Sequence, residues 1–320
     1  MAMRIVFCGT PDFAVPTLKR LLAEPDFTIE AVVTQPDRPR GRGGLLASSP
    51  VKDVALDAGL HVYQPEKIKS DSAYEFFKRL APDAVVIVAY GQIIPARLIQ
   101  IPRHGWMNLH ASLLPKYRGA APVNWAIING ETRTGLSTMQ IDAGLDTGPV
   151  LMQFELEIGA NETAPQLLRR MAEAGGPLVV GSLRKLGRGE IRPVPQDPTQ
   201  ASLAPMLKKE DGRIDWSLAA RQVYNRIRGL DPWPGAFTTF RGHLCHIWAR
   251  LAEPNEKPAG EPGIGRVPGT IVEANGEVYV VCGKGTWLRL EAVHLEGRKR
   301  VAAAEFARGA RFTQHERFGA

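Results

Sequence analysis

The sequence predicts an α/β fold: a doubly wound, mainly parallel sheet followed by a small antiparallel β domain. Three observations carry this. Short apolar runs alternate with helix-like stretches through the first third of the chain. A segment dense in glycine and proline, residues 187–205, then breaks the pattern. Beyond it, apolar residues alternate in short runs around Asn275-Gly276, a hairpin signal.

Residues 4–8 read as a first buried strand, and 13–23 as a helix with apolar positions at helical spacing. Strand 29–34 and helix 51–58 follow. Segment 84–89 is a strongly apolar third strand, and 107–109 ends a fourth. Strands separated by helices build βαβ units, hence a Rossmann-like sheet whose site lies beyond the carboxyl ends of the strands. The turn after the first strand is Gly9-Thr10-Pro11-Asp12 rather than G-x-G-x-x-G, which argues against NAD or FAD. Segments 136–141 and 150–157 alternate as strands joined by the loop 142–149. Residues 164–185 are helical, and Gly175-Gly176-Pro177 is expected to kink or divide that helix.

The expected division is a first domain over 1–189, a linker over 190–207 and a second domain over 208–320. In the second, 218–227 is a helix and 269–274, 277–282 and 286–292 are strands, while 254–268 is a polar Gly/Pro-rich loop. A small, mostly antiparallel β-barrel or sandwich fits these runs, and we adopt the OB-like barrel as its form.

With 320 residues, 44% hydrophobic and 23% charged, the chain suits two globular domains and excludes wholesale disorder. Cys8, Cys245 and Cys282 are far apart and odd in number, so neither a disulfide framework nor a zinc site is supported. No apolar run is long enough for a signal peptide or a membrane span, which places the protein in the cytoplasm. The net charge is +7, and from residue 208 onward 18 Lys and Arg face 13 Asp and Glu. That balance suits a polyanionic partner or simply a soluble basic surface.

Asn108 and His110 stand two apart at a strand end, so both side chains share one face. An amide donor beside an imidazole suits attack on a carbonyl: one stabilises the oxyanion, the other manages protons. A polar strand end satisfied by backbone is the competing reading. Asp142 and Asp146 lie in a loop where Gly144 and Gly148 leave freedom to approach a ligand, and a carboxylate there can orient His110 or simply shape an acidic turn. Ser112, Leu113, Leu114 and Pro115 begin a stiff apolar stretch that can wall a flat aromatic ligand. The loop 35–49 carries Arg38, Arg40 and Arg42 among glycines, either a solvated basic loop or a mobile clamp on phosphates.

Together these segments resemble the methionyl-tRNA formyltransferase family. The matching pieces are Phe7 to Ala14, Gln35 to Pro39 with Gly41-Arg42-Gly43, Ser49 to Lys52, Asn108 to Pro115, and Met139 through Pro149. Glu210 to Trp216, Pro232 to Gly235 and Leu295 to Arg300 continue the match into the second domain. The resemblance implies formyl transfer from 10-formyltetrahydrofolate to the α-amino group of methionine on initiator tRNA, by a monomer without a metal. It implies Asn108, His110 and Asp146 as the catalytic set, with Asp146 pairing with His110 and taking the amine proton through water. Val88, Ala89, Tyr90, Ser112 to Pro115 and the backbone from Asp142 to Asp146 would bind the folate. Arg38, Arg40 and Arg42 would meet the tRNA, although Gly44 and Leu45 stand where the family commonly has two lysines. A formyltransferase acting on a sugar-nucleotide amine or a purine precursor, a formylfolate hydrolase, and a non-catalytic nucleic-acid-binding protein are the alternatives. Trp216 and Trp233 are expected to pack in the core rather than stack on bases.

Overall fold

A computed structural model describes residues 2–40, 45–253, 255, 256, 258, 266–313 and 316–319. The chain divides into two compact units: 1–122, 133–157 and 166–205 form the first, and 123–132, 158–165 and 206–320 form the second.

The first unit is built on seven strands: β1 (Met3–Gly9), β2 (Phe27–Val33), β5 (Val62–Tyr63), β6 (Ala84–Val88), β7 (Trp106–His110), β8 (Arg133–Gln140) and β9 (Val150–Glu157). Between β2 and β5 lie β3 (Arg38–Arg40) and β4 (Leu45–Ala47), a separate antiparallel pair. The large sheet runs in the order β5-β2-β1-β6-β7-β8-β9. Its first five strands are parallel, and β8 and β9 add antiparallel. The order turns back between β1 and β6, so the chain leaves both strands on opposite sides of one crevice. All five residues of β6, Ala-Val-Val-Ile-Val, are buried, as a central strand covered on both faces requires.

Helices α1 (Val15–Leu22), α2 (Pro50–Asp57), α3 (Asp71–Leu80), α4 (Ala96–Ile99) and α6 (Ala164–Gly187) complete this unit, α6 from residue 166 onward. Ser49 caps α2 by accepting from the Lys52 N–H at 3.1 Å, with Pro50 next, where its missing donor costs nothing. Ser70 caps α3 in the same way. Phe13, expected inside the first helix, lies in a preceding 3-10 turn, Asp12–Ala14.

The long helix α6 runs undivided through Gly175-Gly176-Pro177. The glycines serve close packing. A Cβ on Gly175 would lie 2.5 Å from Leu109 Cδ2, and one on Gly176 2.8 Å from Arg20 Cβ. Both positions therefore let α6 settle directly on β7 and α1.

The second unit contains α5 (Pro122–Ile128, from Val123), α7 (Ala220–Gly229), α8 (Ala303–Ala310) and six strands. These are β10 (Phe237–Phe240), β11 (His243–Leu251), β12 (Ile271–Ala274), β13 (Glu277–Cys282), β14 (Thr286–Leu295) and β15 (Val301–Ala302). They pair antiparallel in the order β10-β11-β14-β13-β12, with β15 on β14. Asn275 and Gly276 take φ of 53° and 75° and turn β12 into β13, as their sequence predicts. The antiparallel character matches expectation. Closure into an OB-like barrel is not among the pairings, because no ladder joins β10 to β12 in the described residues. The loop 254–268 lies largely outside those residues.

All three cysteines are buried and unbridged. Burial pushes the Cys8 thiol well up and those of Cys245 and Cys282 up to about 12. No helix among the described residues is long and apolar enough to cross a membrane.

Candidate functional site

Strand β7 places the two polar candidates. At its start Trp106 is fully buried, and its indole donates to the Leu98 carbonyl at 2.8 Å while its ring lies 5.0 Å from Phe77. Burial of one such side chain contributes about 3 kcal/mol and fixes where the strand begins. Leu109 is buried on the face that meets α6. Asn108 and His110 therefore share the opposite face, as period two requires.

His110 is buried, and its Nε2 lies 2.9 Å from the Tyr117 carbonyl. A carbonyl only accepts, so the hydrogen sits on Nε2 and Nδ1 is the nitrogen left for Asp146. That separation, Nδ1 to Asp146 Oδ2, is 3.7 Å. It exceeds a hydrogen bond, so the pair faces each other with room to close. The same Oδ2 accepts the Gly119 N–H at 2.8 Å. Asn108 is half-buried and finds no side-chain partner among the described residues, which leaves its amide available.

Asp146 has φ of 52°, a left-handed backbone that few non-glycine residues adopt. Its loop is shaped internally: Asp142 Oδ1 accepts from the Gly144 N–H at 3.0 Å and from the Thr147 hydroxyl at 2.7 Å. A Cβ on Gly148 would lie 1.8 Å from the Gln140 carbonyl oxygen. The glycine expected to admit a ligand is thus required by the chain's own close approach.

The stretch from Ser112 to Pro115 is held on β8 and β9. Ser137 Oγ donates to the Ser112 carbonyl at 2.7 Å and accepts the Leu114 N–H at 3.0 Å. Gln153 donates to the Leu114 carbonyl and to Ser137 Oγ, both at 2.9 Å. Ser112 and Leu114 are buried, whereas Leu113 and Pro115 are half-exposed. Beside the β1/β6 crevice, Val88 and Tyr90 are buried and Ala89 is exposed with φ of 48°. The Tyr90 carbonyl accepts from Thr10 and Gln35, and burial pushes its phenol up from the ordinary range.

The basic loop is a hairpin of β3 and β4 rather than an irregular loop. Its base is braced by Asp37, which takes Lys52 Nζ at 2.5 Å and Gln64 Nε2 at 2.8 Å. Those bonds hold the Asp37 carboxyl below its usual range. Arg38 is exposed, 3.7 Å from Glu66, and Arg40 ends β3. Arg42 and Gly44 lie outside the described residues. In the second unit Trp216 packs in the core, stacked on Phe318 at 5.7 Å, but Trp233 is exposed, contrary to expectation. The prolines on either side hold it in a surface turn.

Sequence reasoning missed Arg118, Gln196 and Ser202. Arg118 Nε and Nη2 donate to Gln196 Oε1 at 3.0 and 2.8 Å. Gln196 Nε2 donates to the Asp146 and Gly148 carbonyls at 2.8 and 2.7 Å. Ser202 accepts the Tyr117 N–H at 2.9 Å. Nothing in local periodicity marks these residues. Among the described residues no cluster of three or more His, Cys, Asp or Glu is placed to hold a metal.

Residues 3–183 match the formyl transferase family, and residues 206–311 match the formyl transferase C-terminal domain. The methionyl-tRNA formyltransferase of Solibacter usitatus is 50% identical over 99% of this chain and 99% of its own length. The chain belongs to the methionyl-tRNA formyltransferase family. The enzyme of that name from Geobacter metallireducens is 45% identical over 99% of both chains. Among solved structures, this formyltransferase aligns with the N-formyltransferase from Helicobacter canadensis in complex with folinic acid and dTDP-3-aminofucose. The TM-score is 0.67 at 18% identity, over 91% of this chain and 99% of that one. HypX from Aquifex aeolicus in complex with tetrahydrofolic acid aligns with a TM-score of 0.60 at 16% identity, over 96% of this chain and 47% of HypX. This formyltransferase thus spans about half of HypX. At these identities the two structures share its fold.

Proposed function

We propose that this formyltransferase moves the formyl group of 10-formyltetrahydrofolate to the α-amino group of methionine on initiator tRNA, in the cytoplasm. The observation that carries the reaction is the facing of His110 Nδ1 and Asp146 beside the open amide of Asn108. The acceptor is supported by the relatives' name over nearly their whole length.

The amine lone pair attacks the formyl carbon, and the carbonyl oxygen becomes an oxyanion. Asn108 donates to that oxygen from its amide, and His110 from an Nδ1–H that the facing Asp146 carboxylate favours, in a pocket whose dipoles are fixed before reaction. Asp146 takes the amine proton through water. The carbon–N10 bond then breaks, N10 is reprotonated, and the formyl group remains on the amine. For the folate, Val88 and Tyr90 offer main chain, while Ala89, Leu113 and Pro115 offer accessible surface. Ser112, Leu114 and Asp142 hold those contacts in place. Arg38, Arg40 and Arg42 on the hairpin, with the basic unit from residue 208, would take the tRNA phosphates.

Mass spectrometry of the aminoacyl end, with methionyl-initiator tRNA and 10-formyltetrahydrofolate supplied, tests this reading. Formylmethionine is expected. Formylation of a sugar-nucleotide amine with the tRNA left unmodified would overturn it.

A further inference from the structure

Residues 194–204 have linker composition, yet they thread the centre described above. Val194 exchanges both backbone hydrogen bonds with Val150, each at 2.8 Å. The Ser202 carbonyl accepts the Arg118 N–H at 2.8 Å, the Ala204 N–H donates to the Arg118 carbonyl at 2.7 Å, and the Ala204 carbonyl accepts the Ala121 N–H at 3.1 Å. Gly119 sits against this strap with φ of 119°, and a Cβ there would come within 2.7 Å of the Ala204 carbonyl oxygen. The strap therefore fixes the very segment whose Tyr117 carbonyl takes His110 and whose Gly119 N–H takes Asp146.

We propose that Gln196 and Arg118 are positioning residues for Asp146. The guanidinium aims two N–H donors at one oxygen of the Gln196 amide, and each bond is charge-assisted. Arg118 has no acceptor to offer, so the amide can be oriented in only one way. Its nitrogen then spans the Asp146 and Gly148 carbonyls and holds the left-handed turn that turns the carboxylate toward His110. Neither residue touches a reacting atom. Their effect passes through the placement of one carboxylate, where a displacement of about 1 Å can cost on the order of 100-fold in rate.

This inference rests on the assignment of Asp146 to the proton path, and the experiment separates the two. Steady-state kcat and KM for both substrates would be measured for Gln196→Ala, Gln196→Glu, Arg118→Lys, Asp146→Asn and the Gln196→Ala/Asp146→Asn double variant, with Tm recorded for each. Gln196→Ala is expected to lower kcat by about 10- to 100-fold with KM little changed. Gln196→Glu should be as slow, because its carboxylate accepts from Arg118 but donates nothing to the two carbonyls. It is nearly isosteric, so it carries the test if the alanine variant does not fold. Arg118→Lys should lose less. The double variant should be no slower than Asp146→Asn alone, since a positioning residue has nothing left to position. Additive losses, or a Gln196→Glu enzyme within twofold of wild type, would overturn the positioning role while leaving the proton path intact. Normal turnover by Asp146→Asn would instead remove the reading on which it rests.

Discussion

His110 commits its two ring nitrogens to different partners: Nε2 to the Tyr117 carbonyl, Nδ1 to the side where Asp146 stands. The first fixes tautomer and ring plane, so the second always presents the same atom to the substrate side. Asn108→Ala, His110→Ala and Asp146→Ala are each expected to lower kcat by about 100- to 1,000-fold, the range for losing one preorganised group. Binding of initiator tRNA, followed by filter retention, should change less than about threefold, because none of the three lies among the proposed phosphate contacts. Asp146→Ala turning over normally would remove it from the proton path. The Asn108–His110 pair was legible because period two alone puts both side chains on one face. Asp146 was not. Its approach depends on the Gly119 N–H and on Gln196, both distant in sequence, and only the family resemblance supplied it.

At the scale of elements, the strongly apolar strands read correctly because burial on both faces leaves a continuous signal. The hairpin β3/β4 did not, since Arg38-Pro39-Arg40 is poor strand sequence and its order comes from the Asp37–Lys52–Gln64 brace. In helix α6 the signal is ambiguous for a related reason: glycine marks close packing as well as breaks. Gly176→Leu tests this. Helix propensity would gain about 1 kcal/mol, whereas overpacking against Arg20 Cβ and the Pro16 carbonyl costs about 1–3 kcal/mol. A net loss is expected, seen as a lower Tm; an unchanged or higher Tm would mean that the interface yields. In the second unit, Glu256 takes both guanidinium arms of Arg250 at 2.7 Å and Arg289 at 2.8 Å. The Arg250 bonds hold its carboxyl down at about 2, from 4.5. A depressed carboxylate stabilises the fold above its unfolded value and loses that contribution as pH falls through its folded one. Glu256→Gln should therefore flatten the dependence of stability on pH between about 4.5 and 2 by up to about one proton, read from urea midpoints.

For the whole molecule, the net charge of +7 is weak for a nucleic-acid binder, so placement matters more than total. Arg42→Ala is expected to raise KM for tRNA and to reduce the slope of log K against log salt by about 0.7–0.9, one phosphate's share. An unchanged slope would take Arg42 out of contact with the backbone. The change of texture near residue 187 was legible in the sequence. The strap's membership of the first unit was not, because Gly/Pro composition describes a segment's freedom and not the partners that remove it.

The three buried cysteines bear on how this molecule can be watched. A thiol reacts as its thiolate, and these are both enclosed and held mostly protonated well above neutral pH. Ellman's reagent should find no fast-reacting group in the native protein, and all three in urea. The wild-type chain is then a silent background for covalent labelling. Leu46, on β4 and 72% exposed, offers a place to install one fluorophore as Leu46→Cys and follow the basic hairpin as tRNA arrives.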